Sequence, residues 1–113
     1  MSDIHAKISH LAHSAQKVRI VIDMVRGKSA NEALEILRFV NKSAALPVSK
    51  LVASAVANAE ENFGVSRDDL YVAKITADEA PTRKWRRFGA RGRFKPILRR
   101  TSHVSVVLRE RGA

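Results

Sequence analysis

Between Thr82 and Arg100 the chain carries nine cations and no acid: Arg83, Lys84, Arg86, Arg87, Arg91, Arg93, Lys95, Arg99 and Arg100. Trp85, Phe88 and Phe94 stand among them, three of the six aromatic residues in the protein. A guanidinium binds phosphate through parallel N–H donors and stacks on flat rings, which an ammonium does not match. Here arginine outnumbers lysine seven to two. Aromatic rings stack on unpaired bases for about 1–3 kcal/mol each. The combination suits one kind of chemistry, the neutralising of a phosphate backbone and the holding of bases. The bland alternative is a solvated, disordered basic loop. Three large aromatics and flanking strand patterns argue against it, and a segment that orders on binding would satisfy both readings.

The charge is focused. Nine of the 21 basic residues fall in this run, leaving twelve elsewhere against eleven acids, so the run carries nearly all of the net +10. The rest of the 113-residue chain is close to neutral, and a chain this long forms one small domain. Such a balance suits a nucleic-acid binder better than a metabolic enzyme. There is no cysteine, which rules out disulfides, thiolate chemistry and cysteine-ligated zinc. The opening MSDIHAKISH lacks a signal-peptide pattern and no window approaches a membrane span. The expectation is an intracellular, soluble protein with no membrane partner.

Other chemistry-bearing residues are sparse. His5, His10 and His13 have H-x4-H-x2-H spacing, but a strand running into a helix need not bring them together, and a polar surface role is expected rather than a metal site. His103, where the basic run rejoins the body, either packs there or donates to a phosphate. Asp23 is placed to pair with a basic neighbour on its own helix. Glu60, Glu61, Asp68, Asp69, Asp78 and Glu79 are read as acids near the domain end of the run, solvated or ion-paired at its base. No nucleophile–base pattern or phosphate loop is present, and GARGRFK lacks the P-loop spacing. Neither an enzyme nor a cofactor is expected.

The elements that must position the basic run follow from hydrophobic period. Ile4, Ala6 and Ile8 alternate with His5 and Lys7, a strand signal. Val18, Val21, Ile22 and Val25 fall at helical spacing, with Ser14 as cap and Gly27 suited to the left-handed position past the end. Ser29 and Glu32 form a capping-box pattern for a second helix, with Ala30, Ala33, Leu37 and Leu34 inward and Asn41 closing it. A third helix is expected over 43–62, with Pro47 in its first turn and Gly64 as a stop. Tyr71, Ala73, Ile75 and Ala77 then alternate, as do Val104, Val106 and Leu108. The order is strand, three helices, two strands: an α+β fold with a small antiparallel sheet packed against three helices.

Strand patterns on both sides of the basic run imply that it is a long protruding hairpin, with Gly89–Gly92 at its tip. Nine extended residues at ~3.3 Å each reach roughly 30 Å, the width of the domain itself. A two-stranded ribbon is marginal in water, and like charges weaken it further, so the counter-charge must come from outside the chain. Phosphates supply it and release counterions in exchange. Without a helix-turn-helix, zinc finger or basic helix, single-stranded or irregular RNA fits better than duplex DNA. Backbone contacts and stacking would serve either nucleic acid.

Three segments resemble a known family: SAQKVRIVIDMVRGK (14–28), NKSAALPVSKLVASAVANAEEN (41–62) and the ARGR…ILRRTSHVSVVL end (90–108). Their order and spacing are similar to those of the large-subunit ribosomal protein twenty-two family (universal uL-twenty-two) in its bacterial form, over about Ala6 to Leu108. The resemblance implies a single rRNA-binding domain over 1–113 whose arm, 82–100, runs inward through the large rRNA. It implies a structural constituent of the large ribosomal subunit, on the cytoplasmic ribosome. Its partners would be large-subunit rRNA, neighbouring ribosomal proteins and the nascent peptide, and it would support subunit assembly and line the exit tunnel. Carried across, the nine cations of the run become rRNA contacts, Trp85, Phe88 and Phe94 stacking candidates, and Gly89, Ala90, Arg91, Gly92 and Arg93 the tip nearest the tunnel. Lys17, Arg19, Arg26 and Lys28 become secondary rRNA contacts. Two places depart from the family pattern: ISHLAH (8–13) carries fewer cations, and Phe88-Gly89 stands where a Pro-Arg pair is usual. A free-standing architectural nucleic-acid binder is the rival from another class.

Overall fold

The computed structural model describes residues 3–81, 83–88 and 94–111. Its elements are β1 (Ile4–Leu11), α1 (Ala15–Ile22), α2 (Ala30–Phe39), α3 (Ala45–Asn62), a 3-10 turn (Arg67–Asp69), β2 (Leu70–Glu79), β3 (Arg83–Phe88), β4 (Phe94–Arg99) and β5 (Ser102–Glu110). The antiparallel body sheet has the order β1-β5-β2, while β3 and β4 form a two-stranded sheet of their own. This is the expected α+β arrangement of three helices on a small antiparallel sheet.

Helices α1 and α2 start where a serine side chain satisfies a free N–H group. The Ser14 hydroxyl accepts from the Lys17 amide at 3.4 Å, and the Ser29 hydroxyl from the Glu32 amide at 3.2 Å. The Ser29 backbone itself bridges to Tyr71, which ties the start of α2 to β2. Two helices differ from the sequence reading. α1 ends at Ile22 instead of continuing towards Gly27, because residues 23–27 wind into tight turns that deliver the Gly27 amide to the Val72 carbonyl at 3.0 Å. Gly27 takes the left-handed φ of 80° that this approach requires. α3 starts at Ala45, with Ala44 as an N-cap that makes no side-chain hydrogen bond. The hydroxyl of Ser43, the expected start, is engaged with His13 Nε2 at 3.2 Å.

One core fills the space between helices and sheet. Val18, Val21, Ile22 and Val25 meet Ala33 and Leu37 of α2, and Val48, Leu51, Val52, Ala55, Val56 and Ala59 of α3. The sheet contributes Ile4, Leu70, Val72, Ile75, Val104, Val106 and Leu108. Ala45, Ala55 and Ala59 are buried, and their thin side chains let α3 lie close against its neighbours.

Strand β2 departs from the expected alternation. Leu70 and Val72 are buried along with Ile75 and Ala77, whereas Tyr71 and Ala73 are only half-buried. The register explains it: Val72 opposes Leu108 and Lys74 opposes Val107, so Ala73 is an extra residue. A bulge of this kind moves the inward set by one position. A second irregularity, between Ile8 and Leu11 of β1, places His10 at a φ of 57°.

The molecule is elongated. Its extents are 65 × 25 × 18 Å and its radius of gyration is 17.2 Å, against about 13 Å for a compact chain of this length. A ribbon that forms its own sheet accounts for such a shape.

Candidate nucleic-acid interface

The ribbon's register sets out the expected binding residues. Arg83 opposes Arg99, Lys84 opposes Leu98, Trp85 opposes Ile97, Arg86 opposes Pro96, Arg87 opposes Lys95 and Phe88 opposes Phe94. Two cross-strand pairs are therefore cation against cation, which destabilises an antiparallel ladder. Phe88 and Phe94 are the last pair of this register. Arg100 follows β4 and is exposed. The expected tip, Gly89, Ala90, Arg91, Gly92 and Arg93, lies outside the described residues, so Arg91 and Arg93 have no placement to report.

The secondary cations divide. Lys17 is exposed on α1, and Lys28 is exposed in the turn before α2. Arg19 and Arg26 both reach the outer edge of β2. Arg19 Nε donates to the Ala77 carbonyl at 3.1 Å, and Arg26 Nη2 donates to the Ile75 carbonyl at 2.9 Å. The Lys28 carbonyl accepts from the Val72 amide at 2.8 Å. Together with the Gly27 amide on Val72, these bonds occupy an edge that would otherwise offer free backbone groups to another strand. Both arginines thus have a structural task that the sequence did not reveal. Arg26 also pairs with Asp23, as its position on the same helical segment suggested.

The histidines go to separate partners. The His10 amide donates to His103 Nδ1 at 3.1 Å, and the two rings meet edge-on with centroids 4.7 Å apart. His13 bonds Ser43, and His5 is exposed on β1. Among the described residues no group of three His, Cys, Asp or Glu side chains could hold a metal ion. His103 therefore packs at the arm's root, with one ring nitrogen already in use.

The acids are placed differently from the expectation. Asp78 and Glu79 end β2 and lie at the root of the arm, where they oppose His103 and Ser102. Glu60, Glu61, Asp68 and Asp69 lie at the other end of that strand, ten residues and about 30 Å away. Glu60 pairs with Arg67 there at 2.9 Å, and Asp68 accepts from Asn31 at 2.8 Å. The chain reaches Leu70 first and the arm last, so nearness in sequence to the basic run misled for these four.

The sequence reading also passed over the open face of the body sheet. His5, Lys7, Lys74, His103 and Arg109 alternate there with the buried set, and they sit among small neighbours such as Ser105 and Thr76. Arg109 Nε donates to Asp3 at 2.8 Å, and this guanidinium holds the Asp3 carboxyl below its ordinary value of 3.8. The Arg111 guanidinium lies over the Tyr71 ring, 5.1 Å from its centre. Strict alternation on β1 and β5 was the available signal. The bulge hid Tyr71, which alternation had placed on the inward face and which instead opposes Arg109.

A helix-backed sheet with a separate two-stranded ribbon rich in arginine and lysine has the architecture and charge of a nucleic-acid-binding class of protein. Residues 6–109 match the model of the family described as Ribosomal protein L22p/L17e, and the chain belongs to that family. It is a structural component of the large ribosomal subunit that binds rRNA and has ribosomal proteins as neighbours. Members of the family are structural proteins, not enzymes. No helix among the described residues is long and apolar enough to cross a membrane.

Proposed function

We propose that the chain grips large-subunit rRNA with the arm 82–100 while its body remains a folded anchor, that it supports subunit assembly, and that the arm's tip lines the nascent-peptide exit tunnel of the cytoplasmic ribosome. The single domain spans 1–113 in this reading. The observation that carries it is the ribbon register, with Arg83 against Arg99 and Arg87 against Lys95 in a sheet of two strands among the described residues. Two cation pairs weaken a two-stranded ribbon that is already marginal in water, even with Trp85 opposite Ile97 and Phe88 opposite Phe94. Phosphates on either side would turn that repulsion into binding, each neutralised phosphate releasing counterions.

Arg83, Lys84, Arg86, Arg87, Arg91, Arg93, Lys95, Arg99 and Arg100 supply the phosphate contacts in this reading. Trp85, Phe88 and Phe94 stack on unpaired bases. Gly89 to Arg93 approach the tunnel and meet the nascent peptide. Lys17 and Lys28 contribute from the body, whereas Arg19 and Arg26 act mainly on the β2 edge and are secondary contacts at most.

Replacing Arg91, Arg93, Arg99 and Arg100 together with glutamine tests the assignment. The variant is expected to lose binding to large-subunit rRNA in a filter or gel-shift titration, while the body's thermal unfolding changes little. Equal loss of body stability would show that the run is part of the core. In cofractionation, the natural chain should remain with large subunits through a high-salt wash. A free electrostatic binder would be released.

A further inference from the structure

The outer face of α2 has a character opposite to that of the arm. Glu32, Glu35, Ile36, Phe39 and Val40 line one groove of about 520 Å³. Their spacing of three, four and seven places them on one stripe of the helix. Phe39 is 79% exposed, the most exposed of the large apolar residues among those described, and Leu46, at the start of α3, is 64% exposed. Among the described residues neither Glu32 nor Glu35 takes part in an ion pair. In a chain of net charge +10, this groove is apolar and rimmed by two carboxylates that have no ion-pair partner among the described residues.

The occupant follows from charge. RNA would bring phosphates against both carboxylates, and a base stacked on Phe39 would carry its own phosphate towards them. A second copy meeting this face through a two-fold axis would set Glu32 and Glu35 against their own equivalents. A cationic protein segment meets both needs, because its lysines or arginines pair with the rim and an apolar side chain covers the phenyl ring. We propose that the outer face of α2 docks a cationic, extended segment of another large-subunit protein. An apolar side chain of that segment sits among Ile36, Phe39 and Val40, and its cations lie on Glu32 and Glu35. The proposal rests on the chain's place in the large subunit and assigns α2 to protein while the arm takes RNA.

Benzoylphenylalanine introduced in place of Phe39 tests it, in large subunits reconstituted from purified rRNA and purified subunit proteins. Two readings are taken first, rRNA binding by the free variant and its stoichiometric presence in the particle. Failure of either counts against the function proposed above and is visible before irradiation. The expected product on irradiation is a crosslink to a different protein, within a peptide that carries several lysines or arginines beside an apolar residue. Its yield should fall about tenfold with Glu32→Lys and Glu35→Lys together, since two attractive rim pairs become repulsive. Glu61→Lys with Glu110→Lys, an equal charge change elsewhere, should leave the yield unaltered. A crosslink to rRNA or to a second copy, no crosslink in fully loaded particles, or a yield indifferent to the Glu32 and Glu35 changes would each overturn the proposal.

Discussion

Single side chains here divide between holding the body together and meeting the outside, and the two jobs separate by experiment. Ser29→Ala removes the hydroxyl that accepts the Glu32 amide. It should lower stability by about 1 kcal/mol in urea unfolding and leave rRNA affinity near normal. Arg26→Ala strips a donor from the Ile75 carbonyl and breaks the pair with Asp23. A loss of about 1 kcal/mol is expected, the usual size for one such hydrogen bond, whereas a residue used only for RNA would leave unfolding unchanged. Asp3 offers a pH test. Its carboxyl is held below 3.8 by the Arg109 guanidinium, so the pair's contribution is complete above that value and is lost as pH falls through the folded pKa. The stability difference between the natural chain and Asp3→Asn should therefore persist at neutral pH and close below pH 3.8, read as unfolding midpoints across the acid range. Ser14 and Ser29 could be identified as caps from sequence, because a cap depends on neighbours three residues away. Arg19 and Arg26 could not be assigned to the β2 edge, because their carbonyl partners lie 58 and 49 residues further along.

At the level of elements, local period carried most of the information, and it failed where a strand holds an extra residue. β5 follows simple alternation, and Val104, Val106 and Leu108 are buried as expected. In β2 the same rule joined Tyr71 and Ala73 to Ile75 and Ala77, although the true inward set begins with Leu70 and Val72. Nothing local marks Ala73 as the bulge. Pairing with β5 decides it, since Val72 and Lys74 face the adjacent residues Leu108 and Val107. The bulge absorbs the extra residue, so both sections of the strand keep their apolar residues inward and the Val72 amide and carbonyl reach Lys28 and Gly27. Deleting Ala73 would restore unbroken alternation, with Val72 and Ile75 inward and Lys74 between them. The shortened strand should fold with a loss under about 1 kcal/mol. Deleting Thr76 would turn one section of the strand over and expose Ala77 or Ile75, and thermal unfolding should show much the larger loss. Similar losses for the two deletions would mean that β2 does not obey this register.

Over the whole molecule, the charge imbalance is concentrated in one run, 82–100, while acids and cations mix elsewhere, as where Arg67 pairs with Glu60. Asp78 and Glu79 stand at the root of the arm, four acids gather at the far end of β2, and the cations dominate 82–100. The total alone, +10, does not say which cations meet phosphate. The salt dependence of rRNA binding does, because each neutralised phosphate adds about 0.7 to the slope of log affinity against log salt for single strands, and about 0.9 for duplex. If Arg91, Arg93, Arg99 and Arg100 each meet a phosphate, their joint change to glutamine should reduce that slope by about 3. Arg19→Gln with Arg26→Gln removes two charges from the body, but both guanidiniums are spent on β2 carbonyls, so the slope should move by less than about 1 while stability falls. A distributed electrostatic surface would give a different result, in which every lost cation lowers the slope by the same amount wherever it sits. Titrations of the natural chain and both variants at four or five salt concentrations distinguish the two, and equal change per charge would remove the special status of the arm.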